Sequence, residues 1–180
     1  MELKKQGKIR HFGLSFHDSP EVLDRILTEY PQIEVVQIQF NYLDYENPAV
    51  ESKKVYDVCV KHNKPIIIME PVKGGILANL PDKAKAVLDD LKSDLSYPSY
   101  AVRFAAGFEK VCMVLSGMSN DDQMVDNVRY MKDFKPLSDT EFEAVEKVRN
   151  IILSTVAIEC TACHYCVLDN KCPKNIKIPE

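Results

Sequence analysis

The apolar pattern of this chain switches repeatedly between the two-residue period of a strand and the ~3.6-residue period of a helix. It predicts strands at 11–15, 34–40, 66–69 and 111–115, with helices between and after them. Strands that alternate with helices are joined by crossovers, so they lie parallel and are covered by helices. A chain of 180 residues with 46% apolar residues has room for one domain and a small appendage.

Several predicted helices begin with residues that cap a helix N-terminus. Ser19 and Pro20 predict a helix from about 20 to 30, and Asn120 predicts one that ends near 131. Ser138 followed by Glu141 has the pattern of a capping box, which starts a last helix that ends near 153. Further helices are predicted to end near 62 and to span 82–93 and 98–107.

The predicted sheet would leave its two edge strands uncovered. Four parallel strands form either half of a barrel or a small open sheet, and the runs at 66–69 and 111–115 are apolar enough for strands buried on both faces. An open parallel sheet has two edges, and no segment of this sequence obviously covers them. Closure into an eight-stranded barrel would remove the edges altogether.

Charge and hydropathy exclude several classes of protein. The net charge is −4, so nothing favours nucleic acid, and the short basic start at Lys4, Lys5, Lys8 and Arg10 is typical of the end of a solvated helix. No apolar run approaches the length that spans a bilayer. The first residues do not resemble a signal peptide, which favours the cytoplasm.

The strongest local motif lies in the tail, where Cys160, Cys163, Cys166 and Cys172 are separated by two, two and five residues and followed by Pro173. Thiolates with such spacing converge on one centre and select an iron–sulfur cluster, zinc or copper(I). The run resembles that of bacterial ferredoxins, although its last gap is five residues instead of three. We expect one [4Fe–4S] cluster, bound by all four cysteines.

Two other readings of the tail remain open. Four thiolates also suit structural zinc, although zinc ribbons usually pair two distant Cys-x2-Cys units. Disulfides are typical of oxidising compartments, which the sequence does not favour. His164 is interpreted as a solvated neighbour of the site, and Cys59 and Cys112 are predicted to be core residues.

Polar or glycine-containing segments lie at the carboxyl ends of all four predicted strands, at 13–17, 37–41, 69–75 and 116–120. In parallel α/β folds the functional loops lie at the carboxyl ends of the strands. The last segment leads directly into a helix N-terminus, where backbone amides favour an anion. The four segments together therefore predict a binding surface at one end of the sheet.

Three of these stretches, 7–15, 69–75 and 117–127, resemble the aldo/keto reductase family. The resemblance implies an α/β fold in which residues 1–155 form a partial (β/α)8 TIM barrel, its last four β/α units. The tail, 156–180, is similar to the iron–sulfur extension of a bacterial branch of that family. The implied domains are therefore a half-barrel and a small cluster segment.

The resemblance also implies contacts with a nicotinamide coenzyme, NAD(P)H. Ser15 and Gln37 match the residues that bond to the nicotinamide carboxamide, and Met69 stands where many members stack a tyrosine on the ring. Phe16 replaces a common asparagine. At the other end of the coenzyme, the matching residues are Gly117, Met118 and Ser119 for the phosphate, Gln123 in place of an arginine common in NADP-preferring members, and Asp126 and Asn127 for the adenine.

The family's catalytic aspartate, tyrosine, lysine and histidine lie on the first four strands, which this chain does not match. Tyr42, Tyr45, His17 and Lys73 occupy other positions, so no catalytic residue is predicted. The resemblance implies an oxidoreductase that moves hydride between NAD(P)H and a small carbonyl-type substrate, here without its N-terminal catalytic half. A redox protein is an implied partner, and either a homodimer or a complementing N-terminal half would rebuild the barrel.

Two alternatives come from other functional classes. One is an electron-transfer module that binds a cluster and has no nucleotide chemistry. The other is an interaction protein stabilised by zinc.

Overall fold

The computed structural model describes residues 1–155, so the predicted cluster ligands Cys160, Cys163, Cys166 and Cys172 lie outside the described residues. Within them, four strands form one sheet in the order β1-β2-β3-β4, and every neighbouring pair is parallel. The strands are β1 (Gly13–Ser15), β2 (Val35–Gln39), β3 (Ile66–Met69) and β4 (Val111–Val114). The predicted α/β alternation is confirmed, with strand ends that differ from the prediction by at most two residues.

Seven α-helices lie in the described part of the chain, together with a 3-10 turn at Lys73–Gly75. They are α1 (Glu2–Lys5), α2 (Pro20–Glu29), α3 (Ser52–Lys61), α4 (Asp82–Asp89), α5 (Tyr97–Ala106), α6 (Asp121–Lys132) and α7 (Asp139–Thr155). None of the helices within residues 1–155 is long and apolar enough to cross a membrane.

The predicted caps form at two of the three helices. The Gln123 N–H donates to Asn120 Oδ1 at 3.0 Å at the start of α6. Before α7, the Ser138 N–H donates to Glu141 Oε2 at 2.9 Å and the Glu141 N–H donates to Ser138 Oγ at 3.3 Å, which completes the capping box. Ser19 stands in extended conformation before α2, but its side chain makes no cap hydrogen bond.

The core lies between the helices and one face of the sheet. Val36 and Ile38 of β2 are fully buried, as are Ile66 and Ile68 of β3, whereas the residues that alternate with them are half-buried. From the helices, Leu23, Leu27, Val55, Cys59, Tyr100, Phe104, Val145 and Val148 pack in the same cluster. The prediction that β3 and β4 are buried on both faces is wrong. Within residues 1–155, no layer covers the face of the sheet that lies away from the helices.

The two cysteines of the described residues differ. Cys59 is fully buried, and burial raises the pKa of its thiol to about 12, so its prediction as a core residue is confirmed. Cys112 is exposed, and that prediction is wrong. It lies at an irregularity of the edge strand β4, where Ile66 pairs with Val111 and Ile67 pairs with Met113. Its Sγ donates to the Ile66 carbonyl at 3.3 Å.

Candidate functional site

Three of the predicted nicotinamide contacts form a row across the uncovered face of the sheet. Gln37 Nε2 lies 3.5 Å from Ser15 Oγ on one side and 3.4 Å from Met69 Sδ on the other. The parallel register explains this arrangement. Ser15 pairs with Gln37, and Met69 pairs with Gln39, which lies two residues further along β2 on the same face as Gln37. We call Ser15, Gln37 and Met69 the strand-end row.

His17 extends the strand-end row and was not placed there by sequence reasoning. Its Nε2 lies 3.2 Å from Ser15 Oγ, and its side chain is exposed. The position of His17 beside Ser15 could have been predicted, because residues two apart at the end of a strand point to the same side. Phe16, between them, is 6% exposed and packs in the core, so it contributes no polar contact to the row.

The remaining predicted contacts line a cavity of about 340 Å³. One wall is the segment from Leu115 into the first turns of α6, and the other is the loop after β3 with Glu70, Gly74 and Gly75. Its lining includes all six residues predicted for the phosphate and adenine end: Gly117, Met118, Ser119, Gln123, Asp126 and Asn127. We call it the α6 cavity, and its volume falls in the range of small-molecule sites.

Hydrogen bonds within the protein hold the α6 side of this cavity. Gln123 Oε1 accepts from the Ser119 N–H at 2.7 Å, and Asn127 Nδ2 donates to Ser116 Oγ at 2.9 Å. Tyr130 Oη donates to Asn127 Oδ1, and burial, assisted by the nearby charge of Asp126, raises the pKa of the Tyr130 phenol. These residues are therefore preorganised, and Tyr130 stays a neutral donor at ordinary pH.

The electrostatics of the α6 cavity are mixed. Backbone amides in the first turn of α6 and the positive end of its dipole favour an anion. Two carboxylates, Glu70 and Asp126, line the cavity, and Asp126 Oδ2 accepts a hydrogen bond from Ser96 Oγ. Among the described lining residues there is no lysine or arginine. An anion here would be bound by backbone amides and polar groups, without a cationic side chain.

A buried polar network holds the loop after β3, and the sequence patterns did not indicate it. Lys73 Nζ donates to Asp44 Oδ1, and Gln39 and Asn41 donate to Asp44 Oδ2 at 2.7 and 2.8 Å. Asn41 Nδ2 also donates to the Glu70 carbonyl at 3.0 Å. The network therefore connects the carboxyl end of β2 to one wall of the α6 cavity.

No acid–base set like the one described for the family assembles in residues 1–155. Tyr42 is 1% exposed and burial raises its pKa, while the Tyr45 pKa is raised chiefly by partial burial. Lys73 is paired with Asp44, and only His17 reaches the strand-end row. Within the same residues, no group of three or more His, Cys, Asp or Glu side chains is arranged to hold a metal.

A larger cavity of about 420 Å³ lies between the loops after β1 and β2. Its lining includes Phe16, His17, Asp18 and Glu51, but none of the nine residues predicted to contact the coenzyme. We therefore place the candidate site at the strand-end row and the α6 cavity.

Comparison with known proteins agrees with the parallel α/β fold. A family model described as "Aldo/keto reductase family" matches residues 1–150. No functionally curated protein is similar enough in sequence to match. Several solved structures share the fold, and the chain spans about half the length of each of the three described below.

An aldo-keto reductase from Bacillus halodurans, in its apo form, superposes with a TM-score of 0.63 at 23% identity, over 82% of this chain and 53% of its own. One from Klebsiella pneumoniae in complex with NADPH has a TM-score of 0.62 at 15% identity, over 82% and 51%. An aldose reductase from Giardia lamblia has a TM-score of 0.59 at 19% identity, over 88% and 50%. At these identities the similarity shows a common fold.

Proposed function

Because the chain belongs to the aldo/keto reductase family, we propose that it is the coenzyme-binding half of an NAD(P)H-linked oxidoreductase that acts on small carbonyl-type substrates. One observation carries the proposal. Three of the nine predicted coenzyme contacts form the strand-end row, and the other six line the α6 cavity. The NADPH complex of the Klebsiella pneumoniae relative supports the same class of coenzyme.

In this proposal the strand-end row orients the nicotinamide ring. Ser15 Oγ and the Gln37 amide have both donor and acceptor capacity for a carboxamide, and Met69 supplies a soft apolar surface for the ring. The hydride itself belongs to the coenzyme, so these side chains bind and align the ring. We assign no catalytic residue to this chain, and proton transfer to the carbonyl requires groups outside the family positions that it matches.

The α6 cavity would hold the other end of the coenzyme. Gly117, Met118 and Ser119 lead into the N-terminus of α6, whose amides suit a phosphate. Asp126 and Asn127, fixed by Ser96 and Ser116, face the adenine end. Since the described lining has no basic side chain, we propose that NADH binds at least as tightly as NADPH, which carries an additional 2′-phosphate.

The tail 156–180 is proposed as a separate cluster segment after the half-barrel of residues 1–155. Four soft thiolates at Cys160, Cys163, Cys166 and Cys172 fit a [4Fe–4S] cluster, which supplies one-electron transfer when bound. A redox protein is then the natural partner, and a reducing compartment, the cytoplasm, is the proposed location. Zinc on the same four thiolates remains the alternative ligand.

A second candidate is an electron-transfer module without nucleotide chemistry. It is favoured by the absence, in residues 1–155, of an acid–base set at the strand-end row other than His17. The two candidates differ in one property, because only the first requires the α6 cavity to bind a dinucleotide.

The decisive experiment is a calorimetric titration of the anaerobically purified 180-residue chain with NADH and then NADPH, alongside its iron, sulfide and zinc content. Micromolar binding that is weakened about fivefold by Gln37→Ala supports the coenzyme site, since a side-chain hydrogen bond contributes ~1 kcal/mol. The exposed substitution Gln6→Ala is the matched control. Iron and sulfide without any nucleotide binding would select the second candidate, and zinc alone would remove the cluster from both.

A further inference from the structure

Glu70 brings a negative charge into the wall of the α6 cavity that is formed by the loop after β3. The residue is exposed, and its Oε2 accepts a hydrogen bond from the Gly74 N–H at 2.7 Å. Both residues line the cavity. One backbone donor of this wall is therefore already bonded to an anion that belongs to the protein itself.

The backbone of the loop keeps the Glu70 side chain in this orientation. Glu70 has a φ of 56°, in the left-handed region that residues with side chains seldom adopt. Its carbonyl accepts from Asn41 Nδ2 at 3.0 Å and from the Lys73 N–H at 3.1 Å, and Gly74 has a φ of 59°. Strained backbone that neighbouring bonds hold in place is common in loops that bind ligands.

The opposite wall of the cavity has a similar arrangement with a neutral side chain. There the Ser119 N–H donates to Gln123 Oε1 at 2.7 Å. The second carboxylate of the lining, Asp126, accepts from Ser96 Oγ. No lysine or arginine among the described lining residues neutralises Glu70 or Asp126. An anionic ligand in this cavity would therefore meet a negative charge beside the amides that favour it.

We propose that Glu70 determines which charge of ligand the α6 cavity accepts. Its carboxylate takes the place of a ligand phosphate at the Gly74 amide, and a diphosphate binds in exchange for it. This rests on the proposed function, which puts the phosphates of the coenzyme in the same cavity. Like charges repel strongly at short range in a site that is partly shielded from water, so the bound coenzyme displaces the Glu70 side chain towards solvent. The coenzyme is then held less tightly than the amides alone would hold it.

Two other roles for Glu70 predict different results. A carboxylate that accepted hydrogen bonds from the hydroxyls of a ribose would strengthen binding, so its removal would weaken the affinity. A purely structural bond to Gly74 would contribute to stability and leave the affinity unchanged when it is lost. The sign of the change in affinity therefore separates the proposed role from both alternatives.

Calorimetric titration of the anaerobically purified full chain with NADH, and separately with inorganic pyrophosphate, tests the proposal. Glu70→Gln removes the charge and keeps an acceptor for Gly74, whereas Glu70→Ala removes both, and urea unfolding shows that each variant is folded. We expect both variants to bind both ligands about tenfold more tightly than wild type, because a like charge has been removed from the site. Glu29→Gln is the matched control. It removes an exposed carboxylate at the end of α2, which leads to the amino end of β2, and leaves both affinities unchanged.

The two ligands separate failure of this proposal from failure of the proposed function. If wild type binds NADH and neither folded variant binds it more tightly, the role of Glu70 is overturned and the coenzyme site stands. If the variants bind pyrophosphate more tightly than wild type while no form binds NADH, the role of Glu70 stands and the coenzyme site is wrong. Absence of binding of either ligand to every form overturns both.

Discussion

Lys73 and Asp44 form an ion pair inside the protein, with side chains that are 5% and 0% exposed, between the loops that follow β3 and β2. Asp44 accepts two further hydrogen bonds, from Gln39 and Asn41. Lys73 itself has a positive φ of 46°, which is unusual for a residue with a side chain. A charged pair therefore holds a strained loop that forms one wall of the α6 cavity.

We predict that Lys73→Met destabilises the protein by about 3–5 kcal/mol, because it leaves the Asp44 carboxylate buried without its counter-charge. The double variant Lys73→Met/Asp44→Asn should recover much of that loss, since it removes both charges and keeps an acceptor for Gln39 and Asn41. Urea unfolding measures both free energies. Lys53→Met, which breaks an exposed pair with Asp57, is the control and should cost at most about 1 kcal/mol. A double variant no more stable than the single one would refute this account.

The cap of α6 gives a second prediction. Asn120→Ala should lower the free energy of unfolding by about 1 kcal/mol, because the Gln123 N–H loses its acceptor at Asn120 Oδ1. Ser19→Ala is a matched control at the start of α2, where the serine makes no cap hydrogen bond, and its effect should be smaller. Denaturant titration compares the two. Equal losses would mean that the cap bond at Asn120 contributes nothing measurable.

The Arg103–Glu141 pair predicts a dependence of stability on pH. Burial alone would raise the pKa of Glu141, but hydrogen bonds from Arg103 and the Ser138 N–H outweigh it, and the pKa lies below its ordinary value of 4.5. A carboxyl whose pKa is lowered by folding stabilises the protein above its unfolded pKa, and this contribution is lost as pH falls through the folded pKa. Unfolding free energies from pH 7 to pH 3 should therefore drop less steeply below about 4.5 for Glu141→Gln than for wild type.

The control for that experiment is Glu143→Gln, an exposed position on the same helix. It should keep the wild-type slope in the acid range. If Glu141→Gln also kept that slope, the Arg103 pair would not be the source of the acid sensitivity.

The described lining of the α6 cavity contains no basic residue, so we expect an introduced arginine to shift the coenzyme preference towards NADPH. Gln123→Arg should raise the ratio of NADPH to NADH affinity about tenfold, because a charge-assisted bond to the 2′-phosphate contributes roughly 1.5 kcal/mol or more. Calorimetric titration of both coenzymes measures the ratio. Gln6→Arg adds the same charge at the exposed residue that follows α1 and should leave the ratio unchanged. An unchanged ratio in Gln123→Arg would place the adenosine end elsewhere.

Much of the candidate site was predictable because it depends on local order. Ser15 and Met69 each end a strand, and Gln37, in the middle of β2, pairs with Ser15, so the parallel register brings the three side chains together. The residues from Gly117 to Asn127 lie just before α6 or in its first turns, so they are close together because they are neighbours along the chain. The partners of these residues were not predictable, since the bond of His17 to Ser15 and that of Asn127 to Ser116 depend on side-chain rotamers.

By itself the sequence determined the order of strands and helices and the caps at Asn120 and Ser138, because periodicity and capping are properties of neighbours along the chain. Its motifs also indicated the family, through their resemblance to known members. Only the tertiary structure decided which apolar residues are buried. The run at 111–115 is as apolar as a core strand, yet Cys112 and Met113 are exposed because β4 is an edge and its inner face is uncovered within residues 1–155. The sequence did not predict the buried Lys73–Asp44 ion pair either, since burial of a charge depends on residues distant in sequence.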